Sequence, residues 1–332
     1  MMETFSIIAE TEILIRTLLL GVLGFLVSML VTPLYTALAF RGQWWKKSGH
    51  HERFVPTMAG AVMVVSIAII TIAFNLERSQ TWLPLAAFVG AAAVGLLDDV
   101  LRLKRAQTNP DKPLPSKRLK LLLTTIVASI GGWFFYYKLD ISSIHIPLVG
   151  SQLEVGWLII PLFIFAVVAS AHAVDVSDGL DGLAGGLATF AFAVYATIAG
   201  LEGNYGIAAF CLTIVGGLLS YTWFNINPAR FFMGSVGSIA LGTALGVVAM
   251  LTNTLLLLPI IGAVFVLEAG STIVQRASRA LRGGREVFLA VPLHRHFEAA
   301  GWPDTKVTMR FWILGQVAAV LGLTFFLLGN YF

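Results

Sequence analysis

Residues 13–40, ILIRTLLLGVLGFLVSMLVTPLYTALAF, carry a single charge, Arg16. A run of this length can cross a bilayer core of about 30 Å as a helix. Similar runs recur to the end of the chain, so the solvent for most of the sequence is lipid. Ten spans are predicted, at about 13–38, 57–75, 81–97, 118–137, 156–174, 178–200, 206–224, 236–251, 255–278 and 308–330. The third and eighth are short for a span. Composition agrees: 57% of residues are hydrophobic and 12% charged, with a mean hydropathy of +0.84. The first run is longer than a signal-peptide core and lacks a small-residue cleavage site, so it reads as a span. The fold class predicted is an all-α polytopic membrane protein, one domain over residues 1–332. The only cysteine, Cys211, lies within a span and excludes an intrachain disulfide.

Basic residues set the orientation. Of 22 Lys and Arg, all but Arg16, Arg78 and Lys138 fall in or beside the connections at 39–56, 98–117, 225–235 and 279–307. Positive charge collects on cytoplasmic loops, so those four connections read as cytoplasmic and both termini as outside. The isoelectric point near 9.3 is then a property of membrane-edge loops. No nucleic-acid-binding motif is present. On the outer face, residues 139–156 alternate Ile141, Ile144, Ile146 and Leu148 with polar positions and break at Pro147 and Gly150. That pattern predicts a small β-hairpin, the alternative being an irregular loop.

The acids are the expensive residues here. Asp98 and Asp99 end the third span, followed by Arg102, Lys104 and Arg105. HAVDVSDGLDGLAGG (172–186) places Asp175, Asp178 and Asp181 within seven positions. Both clusters fall at the cytoplasmic edge. A carboxylate pair at a span end is either a helix cap or a working group. Two acidic clusters at one depth, each beside cations, suit a hard cation such as Mg²⁺ together with substrate phosphates. Lys104, Lys117 and the neighbouring arginines would contact those phosphates.

Glycines 179, 182, 185 and 186 permit close approach of helix or substrate at the mouth of span six. A second junction, FNINPARFFMGSVGS (224–238), offers Asn225 and Phe232 for a planar base; Phe232 also suits ordinary interface packing. A third, VPLHRHFEAAGW (291–302), contains His294, Arg295 and His296. Two histidines at i and i+2 are a weak zinc signal, and Arg295 between them favours phosphate. Glu268, inside span nine, reads as a helix–helix hydrogen bond.

In these segments the sequence resembles the phospho-N-acetylmuramoyl-pentapeptide transferases, of the polyprenyl-phosphate N-acetylhexosamine-1-phosphate transferase superfamily. The segments are PTMAG (56–60), GLLDD (95–99), DVSDGLDGLAGG (175–186), FNINPARFFMGSVGS (224–238), LEAGSTIVQ (267–275) and PLHRHFEAAGW (292–302). The resemblance implies Mg²⁺-dependent transfer of phospho-MurNAc-pentapeptide from UDP-MurNAc-pentapeptide to undecaprenyl phosphate, giving lipid I and UMP. It places the reaction on the cytoplasmic face of the inner membrane and implies a homodimer, though no face of the sequence identifies the interface. It marks Asp98 and Asp99 as catalytic, with Asp98 a candidate base. Asp178 stands near the nucleotide and metal, and Asn225 and Phe232 line a uridine pocket. Asp181, His294 and His296 bind substrate.

Three positions depart from the family pattern. Asp175 replaces an asparagine, Arg295 a histidine, and Ser235 a magnesium-linked aspartate. One acid is lost and one gained, so the expected metal set is Asp175, Asp178 and Ser235, with Asp175 restoring the charge. The same departures leave two other readings: a transferase for a different UDP-amino sugar, or a non-catalytic scaffold or transporter.

Overall fold

The computed structural model describes residues 2–47, 54–75, 77–108, 117–147 and 150–331. The centres of the two expected cytoplasmic loops near 48–53 and 109–116, and Leu148 of the expected hairpin, lie outside these residues. The order is α1 (Met2–Arg41), β1 (Trp45–Lys47), β2 (Phe54–Pro56), α2 (Gly60–Phe74), α3 (Arg78–Thr108) and α4 (Lys117–Tyr137). β3 (Ser143–Ile146), β4 (Ser151–Glu154), a 3-10 turn (Gly156–Leu158) and α5 (Ile159–Ser177) follow. The rest is helical: α6 (Leu183–Leu201), α7 (Tyr205–Asn225), α8 (Ser235–Leu251), α9 (Leu258–Ile261), α10 (Ala263–Leu281), α11 (Leu293–Ala299) and α12 (Asp304–Tyr331). β3 and β4 pair antiparallel, with Ile144 opposite Leu153. β1 and β2 form a second antiparallel pair, Lys46 opposite Val55.

Among the described residues, seven helices are long and apolar enough to cross a membrane: α1, α3, α4, α5, α6, α7 and α12. Seven of the ten predicted spans thus correspond to helices of this kind. α2 and α8 have 15 and 17 residues, about 22 and 26 Å at 1.5 Å per residue. The predicted span at 255–278 is divided. Pro259 opens the single turn of α9, Gly262 closes it, and α10 begins afresh. α10 turns Glu268, Ser271, Gln275 and Ser278 inward and leaves Val266, Leu267, Ile273 and Val274 exposed. Its polar face is its packed face, so it does not read as a simple span. The third span, predicted short, is the 31-residue α3, which continues through both aspartates to Thr108.

α8 lies at the centre. Every residue from Val236 to Met250 is buried, as a helix apolar on nearly every side requires. α2, α3, α5 and α6 pack around it. Small residues permit the contact with α5: a Cβ on Gly242 would lie 2.3 Å from the Ser170 carbonyl, and one on Gly246 2.8 Å from the Val167 Cα. Small-residue seams of this kind substitute for a hydrophobic drive between helices in lipid. Outward-facing leucines on α1, among them Leu14, Leu18, Leu19 and Leu30, are half or more exposed and suit a hydrocarbon surround.

Candidate active site

Because the helices alternate in direction, the C-terminal ends of α3, α5 and α7 meet the N-terminal ends of α4, α6 and α8 at one end of the bundle. The expensive residues gather there. Lys120, one turn into α4 and 8% exposed, places Nζ 2.6 Å from Asp175 Oδ2 and 3.2 Å from Asp98 Oδ2. The same ammonium donates to Ser235 Oγ at 3.3 Å. Ser235 Oγ lies 3.1 Å from Asp98 Oδ2 and 3.2 Å from Asp175 Oδ1, and its one hydrogen serves either carboxylate. Ser238 donates to Asp175 Oδ1 at 2.8 Å. On the other flank, Arg102 Nε donates to Asp98 Oδ2 at 2.9 Å, an i,i+4 pair on α3. Two carboxylates thus meet two cations in a site that is largely closed to solvent. Charges so placed are tolerated because each is paired and hydrogen-bonded.

The adjacent aspartates separate in role. Asp99, 4% exposed, accepts from the Val236 amide at 3.0 Å. Gly234, which precedes α8 at φ 74°, has no side chain to cap it. Asp99 therefore supplies the missing acceptor from α3, and its charge faces the positive end of α8. A Cβ on Gly234 would come within 2.5 Å of Asp99 Oδ2, so glycine is needed for this approach.

The loop at 225–235 is stapled to the aspartate junction. Asn225 Oδ1 accepts from the Gly182 amide at 2.8 Å, and its Nδ2 donates to the Phe231 carbonyl at 2.8 Å. Asn225 is 3% exposed, and its amide holds the wall of the site. Asp181 Oδ2 likewise accepts from Ala229 N (3.0 Å) and Asn227 Nδ2 (3.1 Å), which ties the two loops together. Phe232 is half-buried and is held by its backbone: its amide donates to Pro56 O at 2.8 Å, and Ala59 N donates to its carbonyl at 3.0 Å. Gly186 lies so close to Trp312 that a Cβ would meet the indole at 2.1 Å; here the glycines serve helix approach.

The histidine segment does not act as one face. His294, 1% exposed, places Nδ1 2.9 Å from Glu268 Oε2, and its amide donates to Glu268 Oε1 at 3.1 Å. Its Nε2 faces Gly179, where a Cβ would lie 2.3 Å away. Glu268 is wholly buried and its partner is the histidine segment, beyond the helix–helix bond that the sequence suggests. His296 Nδ1 instead accepts from Leu289 N at 3.2 Å, and its ring meets Phe288 and Phe297 edge-on. Arg295 Nη1 pairs with Glu298 at 2.8 Å within its own helix. Lys104 and Lys117 are exposed, on α3 and at the start of α4; Asp178 is half-buried at the C-cap of α5.

Lys120, Ser238 and the true partner of Glu268 escape the sequence reading. The one available signal for Lys120 is its place inside an apolar run, where an ammonium is costly without a partner. Asp98, Asp175 and Ser235 offer hard oxygen donors converging on one point, and so match in kind a cation such as Mg²⁺. Among the described residues no three His, Cys, Asp or Glu side chains form a metal cage.

Residues 81–253, which contain most of this constellation, match glycosyl transferase family 4. Over 313 residues the chain is 36% identical to the phospho-N-acetylmuramoyl-pentapeptide-transferase of Geobacillus thermodenitrificans, covering 90% of this chain and 94% of that one. The protein of that name from Bacillus velezensis is 36% identical over 313 residues, 91% of this chain and 95% of its own. The one from Chloroflexus aurantiacus is 36% identical over 331 residues, 93% of this chain and 89% of its own. Identity at this level over nearly the whole length, with the acidic and basic residues brought together at one end, means that the chain belongs to the phospho-N-acetylmuramoyl-pentapeptide-transferase family.

Proposed function

We propose that the chain transfers phospho-MurNAc-pentapeptide from UDP-MurNAc-pentapeptide to undecaprenyl phosphate, releasing UMP and forming lipid I. The observation that carries this reading is the convergence of Asp98, Asp175, Ser235 and Lys120 at one end of the bundle in a chain of this family. The distribution of Lys and Arg supports a cytoplasmic position for that end, with both termini outside a bacterial inner membrane.

An oxygen of the lipid phosphate attacks the β-phosphorus of the UDP-sugar. The bond from that phosphorus to the bridging oxygen breaks, and UMP leaves with the electron pair. A phosphate monoester oxygen is already nucleophilic, so the protein's task is alignment and charge neutralisation. Lys120 and Arg102 meet phosphate oxygens; Lys104 and Lys117 stand at the rim to guide the anions in. Asp98 accepts any proton the lipid phosphate carries. Asp178 and Phe232 border the nucleotide side, and His294, held by Glu268, faces the same loop through Gly179. Asp98, Asp175 and Ser235, with Asp178 beside them, would hold Mg²⁺, which when bound offsets the charge of the diphosphate. The test is UMP release by the purified chain in detergent, given UDP-MurNAc-pentapeptide and undecaprenyl phosphate. A different UDP-amino sugar turned over in preference would overturn the substrate assignment.

A further inference from the structure

Lys120 occupies the point toward which the candidate metal ligands turn. Its Nζ is 2.6, 3.2 and 3.3 Å from Asp175, Asp98 and Ser235. Those oxygens come from α5, α3 and α8, and the Lys120 ammonium and the Ser235 hydroxyl are what join them. Asp98 and Asp175 supply two negative charges; Lys120 and Arg102 supply two positive ones. These four contacting groups therefore balance in charge. A divalent cation entering beside Lys120 would meet two positive charges within a few ångströms and would share its oxygen ligands with an ammonium. At such separations, repulsion in a partly desolvated site far exceeds thermal energy.

We propose that Lys120 is a tethered cation that occupies the metal position in the resting protein, so that a divalent cation binds only by displacing it. Displaced, the ammonium is free to meet the phosphates that arrive with the substrate. Ser235 suits this exchange. A hydroxyl both accepts from the ammonium and donates to a carboxylate, whereas a third carboxylate there would tip the site toward the metal. The proposal rests on the transferase reading for the identity of those phosphates, but its test requires no substrate.

The test is Mn²⁺ binding by the full chain in detergent, titrated and followed by electron paramagnetic resonance. Lys120→Met, close in volume and uncharged, is expected to bind Mn²⁺ at least about tenfold more tightly than wild type, because a like charge is removed. Ser235→Asp, with Lys120 in place, is expected to tighten binding in the same direction. Lys120→Gln serves where the methionine variant does not fold, folding being checked by its melting temperature. Equal or weaker Mn²⁺ affinity in the folded Lys120 variant overturns the proposal, as does the absence of saturable binding in both proteins. Failure of UMP release with the metal titration behaving as expected would instead count against the transferase reading alone.

Discussion

Ser235 lies 3.2 Å from Asp175, hydroxyl to carboxylate, across the junction of α5 and α8. In the family pattern the acid is expected at position 235 and an amide at 175. On that expectation the acid and the neutral partner would have changed sides of a single contact, with the charge reaching the pocket from α5 instead of α8. Ser238, one turn into α8, gives Asp175 a further donor at 2.8 Å, beside Lys120.

This exchange predicts a non-additive cycle. Asp175→Asn alone removes the only acid of the pair and is expected to slow UMP release at least about tenfold. Asp175→Asn combined with Ser235→Asp restores the family arrangement and is expected to recover most of that loss. Residues in contact couple in this way, whereas independent sites add. A double variant as slow as the product of its single variants would show that the two positions do not share one charge.

The adjacent aspartates are expected to separate experimentally. Asp99→Ala leaves the Val236 amide without an acceptor, and loss of such a cap costs about 1 kcal/mol. Asp99→Asn keeps an oxygen for that amide and should melt close to wild type. Asp98→Asn alters the contact with Lys120 and Arg102 and should slow turnover more than Asp99→Asn does. Melting temperature and UMP release on the same three preparations check this. Equal stability in Asp99→Ala would remove the cap.

How much of this was legible depends on where the partner lies. Long apolar runs announce themselves, because crossing lipid takes about 20 residues whatever the tertiary fold. α10 does not, because Glu268 and Gln275 satisfy their polar groups against other parts of the chain, and composition alone counts them against a buried helix. β1 and β2 are three residues each, too short for any alternation to register. The aspartate clusters stand out as costly, but nothing in their spacing assigns Asp99 to the end of α8, 137 residues away. Lys120 is one of several lysines until α5 folds Asp175 against it, 55 residues on. Asn225 and Asp181 were visible as polar residues at a junction; only the fold reveals that backbone amides engage them.

The pair formed by Glu268 and His294 predicts a linked loss of stability and binding. Both side chains are buried, and removing one partner of such a pair typically costs about 3 kcal/mol or more. Glu268→Ala is therefore expected to lower the melting temperature clearly, and Glu268→Gln, which keeps an acceptor for the His294 amide, much less. Gly179→Ala should displace the imidazole from the other side, since its Cβ would fall 2.3 Å from His294 Nε2. All three are expected to raise KM for the UDP-sugar more than for the lipid. An unchanged KM in a folded Gly179→Ala would place His294 away from the nucleotide side.

The last prediction concerns the seam that holds the site together. A Cβ on Gly95 would lie 2.1 Å from the Ser235 carbonyl oxygen and 2.6 Å from the Val236 amide. Those atoms are backbone and cannot swing aside, so the added methyl must push the start of α8 away from α3. That movement would stretch the contacts from Asp98 to Ser235 and from Asp99 to Val236 together. Overpacking of this kind costs about 1–3 kcal/mol, and the catalytic loss should exceed what the stability loss alone explains. Gly200, near the end of α6, has nothing within 4 Å of the corresponding position. Gly200→Ala should therefore be neutral or stabilising by up to about 1 kcal/mol, from helix propensity. Expression, melting temperature and UMP release for Gly95→Ala beside Gly200→Ala decide the matter. A Gly95→Ala protein as active as Gly200→Ala would mean that α3 and α8 do not need this close approach to build the site.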